Sequence, residues 1–179
     1  MMTIQLLNIL GAELRHRSAE ALSAAAPCDR EPRQLLVEVD NPGGTPLHVW
    51  TSRRAYEYDP ASGVLTLYLT ERTPALPDTI KMISDHPRTP SQVEVPAHSR
   101  ATLELGVPAV IRRRVPAKGL GLAFVEEAIT RIDKVDLHIQ FADAPFDKPA
   151  GATPEEHRQR LRTQGELARA TISPTGTKE

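Results

Sequence analysis

Four stretches of the chain alternate apolar and polar residues at every second position. This period of two is typical of a β-strand that buries one face, because successive side chains point to opposite sides of the strand. The stretches therefore predict four strands whose apolar residues face a common core. Those residues are Leu35, Val37 and Val39; Leu65, Leu67 and Leu69; Leu103, Leu105 and Val107; and Val135, Leu137, Ile139 and Phe141.

Weaker patterns predict two further strands and a hairpin. The fifth strand spans about 47–58, and the sixth lies in either 80–83 or Gln92–Val95. Between 59 and 63 the sequence Asp-Pro-Ala-Ser-Gly places proline and glycine where a tight turn needs them. We therefore expect a hairpin that joins the strand of Tyr56 and Tyr58 to the strand at 64–70.

Two segments leave the type of element open. Residues 13–34 include an alanine-rich stretch that suits either a loop or a short helical insertion. In 122–132 the apolar residues Leu122, Val125, Ile129 and Ile132 recur at i, i+3, i+7 and i+10. This spacing favours a short amphipathic helix. A strand through Leu122 and its neighbours is the alternative.

A separate C-terminal part is predicted from residue 147 onward. Residues 147–153 are rich in proline, glycine and alanine, as in a linker, and Thr153-Pro154-Glu155-Glu156 is a capping-box helix start. The sequence predicts a marginal helix over 154–170, because few apolar residues follow, and a disordered tail over 173–179. The domain prediction is thus a body at 1–146 and an accessory segment at 147–179.

These elements predict an all-β fold, an antiparallel β-sandwich of the immunoglobulin or fibronectin type with a short C-terminal helix. The chain has 179 residues, enough for one domain with a real core. Its 16 prolines exclude a helical bundle, since proline interrupts helices. The cysteine pair of antibody domains is absent, so the likeness is one of architecture only.

Charge and cysteine content narrow the function classes. The net charge is −1, so general attraction to nucleic acid or an anionic membrane is not expected. Cys28 is the only cysteine, which excludes an intrachain disulfide and favours a cytoplasmic location. No apolar run approaches the ~20 residues of a membrane-spanning helix.

The densest cluster of charge is Arg112, Arg113 and Arg114, followed by Lys118. Arginine binds carboxylates and phosphates through paired hydrogen bonds, so these four residues are a candidate site for an acidic partner or another anion. Alternation along a strand would place Arg112 and Arg114 on one face. The competing interpretation is a solvated edge that prevents strands of other molecules from adding to the sheet.

Aromatic residues suggest a second candidate surface. Trp50, Tyr56, Tyr58 and Tyr68 all fall in the predicted hairpin region. Tyrosine and tryptophan are enriched at the energetic centres of protein interfaces, so an exposed patch would indicate partner binding. The alternative is aromatic pairing across neighbouring strands, which serves only stability.

Catalytic and cofactor signals are weak. Asp136, His138 and Gln140 point the same way from one strand, onto a face that we expect to be solvated. Asp136 and His138 are also compatible with two ligands of an open metal site. The Gly119 and Gly121 pair lacks the further residues of a phosphate-binding loop, and no cofactor is predicted. The sequence therefore favours a non-catalytic protein that works through protein–protein binding or self-association. The alternatives are a metal-dependent or other enzyme around Asp136 and His138, and a polyanion or nucleic-acid binder through the basic run at 112–118.

Overall fold

The computed structural model describes residues 8–16, 33–52, 55–74, 87–119 and 121–176. Within these ranges the fold is all-β with one short helix, as predicted. The strands are β1 (Asn8–His16), β2 (Arg33–Asn41), β3 (Leu47–Trp50), β4 (Ala55–Asp59), β5 (Val64–Leu69), β6 (Gln92–Val95), β7 (Ser99–Val107), β8 (Val110–Pro116), β9 (Leu122–Ala128), β10 (Lys134–Ala142), β11 (Glu166–Ile172) and β12 (Thr175–Gly176), and the helix is α1 (Pro154–Thr163).

The described strands form two larger sheets and a two-stranded ribbon. The first sheet has the order β12-β1-β2-β7. The second has the order β4-β5-β10-β3-β6, with β11 paired to β10 as well. Most pairings are antiparallel, but β5 with β10 and β1 with β12 are parallel. The sheets are thus not wholly antiparallel, in contrast to the prediction.

One hydrophobic core lies between the two larger sheets. The four alternating sets of apolar residues that the sequence placed in the core are each 3% exposed or less. They belong to a single cluster that draws on β2 and β7 of the first sheet and on β5 and β10 of the second. The predicted register of these strands is therefore confirmed, because a slip by one residue would have exposed every member of a set.

Some local predictions are confirmed and others are wrong. The fifth predicted strand is two strands, β3 and β4, and the sixth is β6; its other candidate, 80–83, lies outside the described residues. The hairpin over 55–69 is confirmed by the pairing of β4 with β5. The helix favoured in 122–132 is wrong, since 122–128 is a strand, which was the alternative. Residues 13–16 extend β1, and 17–32 lie outside the described part of the chain.

The C-terminal segment also differs from the prediction. The capping box at Thr153 is present, but α1 ends at Thr163 instead of residue 170. Gly165 follows with a φ of +71°, a conformation that glycine adopts without steric cost and that breaks the helix. Residues 166–172 then run antiparallel to β10 over seven residue pairs, and Ala168 joins the core cluster. Part of the predicted tail, 175–176, pairs with β1.

Helix α1 covers part of the outer face of the second sheet. Leu161 of the helix packs with Trp50 and Phe146 in a second hydrophobic cluster. Gln140, which the sequence placed on the solvent side, is fully buried here. Its side chain donates to the carbonyl oxygens of Leu161 (2.8 Å) and Gln164 (2.6 Å). The expectation of a solvent-facing Gln140 is therefore wrong, because α1 and its C-terminus cover that end of the sheet.

Candidate functional site

The candidate site is the two-stranded ribbon formed by β8 and β9. The strands pair antiparallel and one to one, from Val110 opposite Ala128 to Pro116 opposite Leu122. Ala117 donates its backbone N–H to the carbonyl of Gly121 (3.1 Å) and so closes the turn. The glycine pair in the sequence is thus part of a hairpin turn.

The base of the ribbon is fixed in the core, and its middle is exposed. Ile111 and Ile129 are 1% and 5% exposed and belong to the core cluster. Beyond them, Leu122, Phe124 and Val125 are 52%, 57% and 50% exposed. Only one other large apolar residue among those described, Leu10, reaches comparable exposure. Phe124 and Val125 are consecutive on the strand, so both faces of β9 present apolar surface.

Arginine side chains surround the exposed phenylalanine. Arg114 lies opposite Phe124 and Arg112 lies opposite Glu126 in the register of the ribbon. The guanidinium carbons of Arg112 and Arg114 are 5.7 and 5.6 Å from the centroid of the Phe124 ring. Contacts of this kind are worth about 0.5–1 kcal/mol at exposed sites. They hold the ring in a defined position even though solvent reaches it.

Glu126 partly neutralises this basic cluster. Its carboxylate forms an ion pair with Arg112 and accepts a hydrogen bond from the Arg112 Nε (2.6 Å). Because Arg112 already has a carboxylate partner, less positive charge is available to a polyanion. The geometry favours a mixed surface of aromatic, guanidinium and carboxylate groups over a purely cationic one.

The structure brings only part of the predicted basic site together. Arg112 and Arg114 share one face with Phe124, as alternation required. Arg113 lies opposite Val125 in the register, and Lys118 is exposed in the turn. The sequence reasoning missed Phe124 and Val125 as site residues. The signal available in the sequence was that Phe124 and Val125 are consecutive apolar residues, which does not fit a strand with one buried face.

The predicted aromatic patch is wrong as an exposed surface. Trp50, Tyr58 and Tyr68 are 0%, 5% and 4% exposed, and Tyr56 is half-buried against the core. Trp50 packs edge-on against Phe146 with the ring centroids 6.0 Å apart. The hydroxyl of Tyr58 donates to the carbonyl of Arg131 (2.9 Å). These rings stabilise the core and the contact with α1 instead of forming a surface for a partner.

The polar face around Asp136 and His138 forms a local network. The His138 ring lies 4.7 Å from that of Tyr68, whose hydroxyl donates to Glu57 (2.6 Å). Asp136 accepts a hydrogen bond from the Thr171 hydroxyl (2.5 Å). Burial lowers the pKa of His138 below its usual 6.5, and burial followed by the hydrogen bond to Glu57 raises the pKa of Tyr68.

The carboxylates and the imidazole of this network do not converge as a set of metal ligands. Across the described residues no three His, Cys, Asp or Glu side chains come together as potential ligands. The Tyr68 hydroxyl is protonated at neutral pH, as in any tyrosine, and serves as the hydrogen-bond donor to Glu57. The arrangement is a hydrogen-bonded outer sheet face with one neutral imidazole.

Comparison with known proteins gives no relative. No protein-family model matches the chain, and neither curated proteins nor solved structures contain a significant match. In the described part of the chain, no helix has the length and apolar character needed to cross a membrane.

Proposed function

We propose that this chain is a non-catalytic protein-binding protein and that the β8–β9 ribbon is its binding element. The observation that carries the proposal is the concentration of exposed apolar surface on one strand. Of the four large apolar residues that are exposed in the described chain, three lie on β9. Large apolar side chains grouped on an exposed element are typical of interaction sites.

The chemistry of the ribbon indicates the kind of surface it fits. Aromatic and arginine residues dominate the energetic centres of protein interfaces. The contacts of Phe124 with Arg112 and Arg114 favour one ring position, which lowers the side-chain entropy lost on binding. The ribbon therefore suits a protein surface with an apolar recess for the ring and carboxylates at its rim. The arginines would then set orientation and encounter rate.

The remaining parts of the proposal concern fold and location. Two sheets around one core support an immunoglobulin-like sandwich as the scaffold, with the parallel β5–β10 pairing as a departure from that pattern. A single cysteine supports a cytoplasmic location. The polyanion alternative is weakened by the ion pair between Arg112 and Glu126. No observation favours an enzyme.

Site-specific photo-crosslinking tests the proposal. A benzophenone amino acid replaces Phe124 in the full chain, which is expressed in cells and irradiated. The matched control carries the same group at Gln159, an exposed position on α1. We expect protein adducts at 124 in clear excess over 159, and a marked loss of these adducts when Arg112→Glu and Arg114→Glu are added. Equal yields at the two positions would overturn the proposal.

A second measurement addresses the polyanion alternative. The purified chain is titrated with a fluorescently labelled single-stranded oligonucleotide at low and at physiological salt. We expect no saturable binding at physiological salt. Tight binding that weakens steeply with salt would contradict the proposal, because counterion release is the signature of phosphate contacts.

A further inference from the structure

The outer edge of β9 has backbone groups that face away from the ribbon. Cross-ribbon hydrogen bonds connect Ile129 with Ala109 (2.9 Å) and Ala117 with Gly121 (3.1 Å), which are directly opposed residues in the same register. Hydrogen-bonded and non-hydrogen-bonded pairs alternate along an antiparallel ladder. The odd-numbered residues of β9 therefore bond to β8. The even-numbered residues direct their N–H and C=O groups outward.

Within the described ranges, neither outer edge of the ribbon pairs with another strand. Two-stranded ribbons are marginally stable in water, and three or more strands are normally needed. An open edge next to exposed apolar side chains is also a template for strand addition.

We infer that β9 of a second copy of this chain pairs with this edge, antiparallel and centred on Val125. The inference rests on the proposed function and names its partner. Val125 is the midpoint of the seven-residue strand Leu122–Ala128. A two-fold axis at this residue therefore pairs the whole length of both strands. Every outward-facing backbone group of β9 then meets an outward-facing group of the other copy.

The distribution of charged residues is compatible with this register. It places Phe124 of one copy opposite Glu126 of the other. Each Glu126 then lies between its own Arg112 and the Phe124 ring of the second copy. Across four strands the residues follow the order Arg114, Phe124, Glu126, Arg112, which sets no two like charges directly opposite each other.

The other edge of the ribbon is unsuited to the same pairing. The midpoint of β8 is Arg113, and a copy paired there would bring Arg112 directly opposite Arg114. Like charges that oppose each other across strands are destabilising. The opposed arginines disfavour pairing at the β8 edge and leave β9 as the edge for self-association. The result is a closed, isologous dimer with one four-stranded sheet.

The dimer is expected to be weak and concentration dependent. A seven-residue strand pair buries less surface than the ~1,200–2,000 Å² of standard interfaces. The first test is therefore sedimentation velocity of the purified full chain over a wide range of concentrations. We expect a monomer–dimer equilibrium that Val125→Lys weakens at least tenfold, because two lysines would face each other at the axis. Leu10→Lys, at a similarly exposed apolar position on β1, is the control and should leave the equilibrium unchanged.

A covalent test fixes the register. Opposed residues at non-hydrogen-bonded positions have Cα atoms about 4.5 Å apart, within the range that a disulfide spans. In a Cys28→Ser background, mild oxidation should link Val125→Cys into a dimer and leave Leu10→Cys monomeric.

The outcomes separate this inference from the proposed function. A wild type that stays monomeric throughout, or a dimer that Val125→Cys does not link, would overturn the second-copy inference. Adducts between position 124 and a different protein would also overturn it, while still supporting a protein-binding ribbon. Adducts at 124 that contain only a second copy of this chain, together with a Val125-dependent dimer, would support the inference and confine binding to self-association.

Discussion

Gln140 offers a sharp test of how α1 is attached to the second sheet. Its amide Nε2 donates to the carbonyls of Leu161 and Gln164, and its Oε1 accepts from the Thr70 hydroxyl (2.7 Å). Carbonyls in the last turn of a helix lack partners within the helix. Gln140 satisfies two carbonyls at the end of α1 from the strand beneath it. We therefore expect Gln140→Ala to destabilise the protein.

The magnitude follows from the bonds that are lost. A typical hydrogen bond contributes a net stabilisation of about 1 kcal/mol, and a buried group left without a partner costs about 1–3 kcal/mol. The substitution removes three bonds. Gln164 keeps a weaker contact from Arg72, which limits the loss. The free energy of unfolding should thus fall by about 2–4 kcal/mol.

Urea unfolding measured by circular dichroism gives the change in stability, and tryptophan emission localises it. Trp50 is the only tryptophan and packs in the cluster with Leu161, so its emission should shift to the red when α1 loosens. Gln140→Met keeps a similar volume without the amide and should be nearly as damaging as Gln140→Ala. Gln159→Ala on the exposed side of α1 should change stability by less than about 0.5 kcal/mol. A Gln140→Ala protein as stable as the Gln159→Ala control would refute the reasoning.

Three further predictions concern other parts of the fold. Gly165→Ala should lower the free energy of unfolding by more than about 1 kcal/mol, because φ is +71° and an added Cβ would lie 2.1 Å from the carbonyl oxygen of Phe141. Gly44→Ala is the control in the same unfolding assay, since a Cβ added there would have no atom within 4 Å. Deletion of 150–179 should sharply lower the thermal midpoint measured by circular dichroism, since it removes α1 and the strand that pairs with β10; an unchanged midpoint would instead support the dispensable accessory segment that the sequence suggested. His138 has a lowered pKa in the folded state, so the unfolded chain binds its proton more readily. The stability that His138 contributes should therefore be complete above pH ~6.5 and decline as the pH falls towards the folded-state pKa. The His138→Gln substitution should remove this part of the pH dependence of unfolding, and comparison of its NMR titration with that of the wild type should identify the His138 signal.

The sequence was informative where one face of a strand is buried and the other is not. In β10 the odd-numbered residues from Val135 to Phe141 face the core, and alternation predicted each of them. The same pattern carried no information about what covers the opposite face. Gln140 and Tyr68 are buried on that face, Gln140 beneath a helix that follows later in the chain. A local period of two records which side is apolar, whereas burial of the polar side depends on distant residues.

The C-terminal strand was missed for a related reason. After α1, the centre of the 166–172 segment is Ala168-Arg169-Ala170, where branched apolar residues would favour a strand. Backbone pairing with β10 stabilises this strand, although its side chains do not predict one. Gly165 falls inside the helix that the sequence predicts over 154–170. Its positive φ and its close approach to Phe141 show that it ends the helix and redirects the chain.

The ribbon explains why 122–132 resembles a helix in sequence. A strand with one buried face gives a period of two, but β9 has no buried face over its central residues. Its apolar residues are therefore free to occupy consecutive positions, and Phe124 and Val125 do so on opposite sides. When apolar residues do not alternate with polar ones, their spacing can match that of an apolar helix face by chance. The loss of the two-residue alternation is itself informative. An exposed strand with apolar residues on both faces and an open edge has the properties expected of a strand that pairs with another molecule. The neighbour that we infer for it is the same strand of another copy, which matches it in length and midpoint and sets no like charges opposite each other.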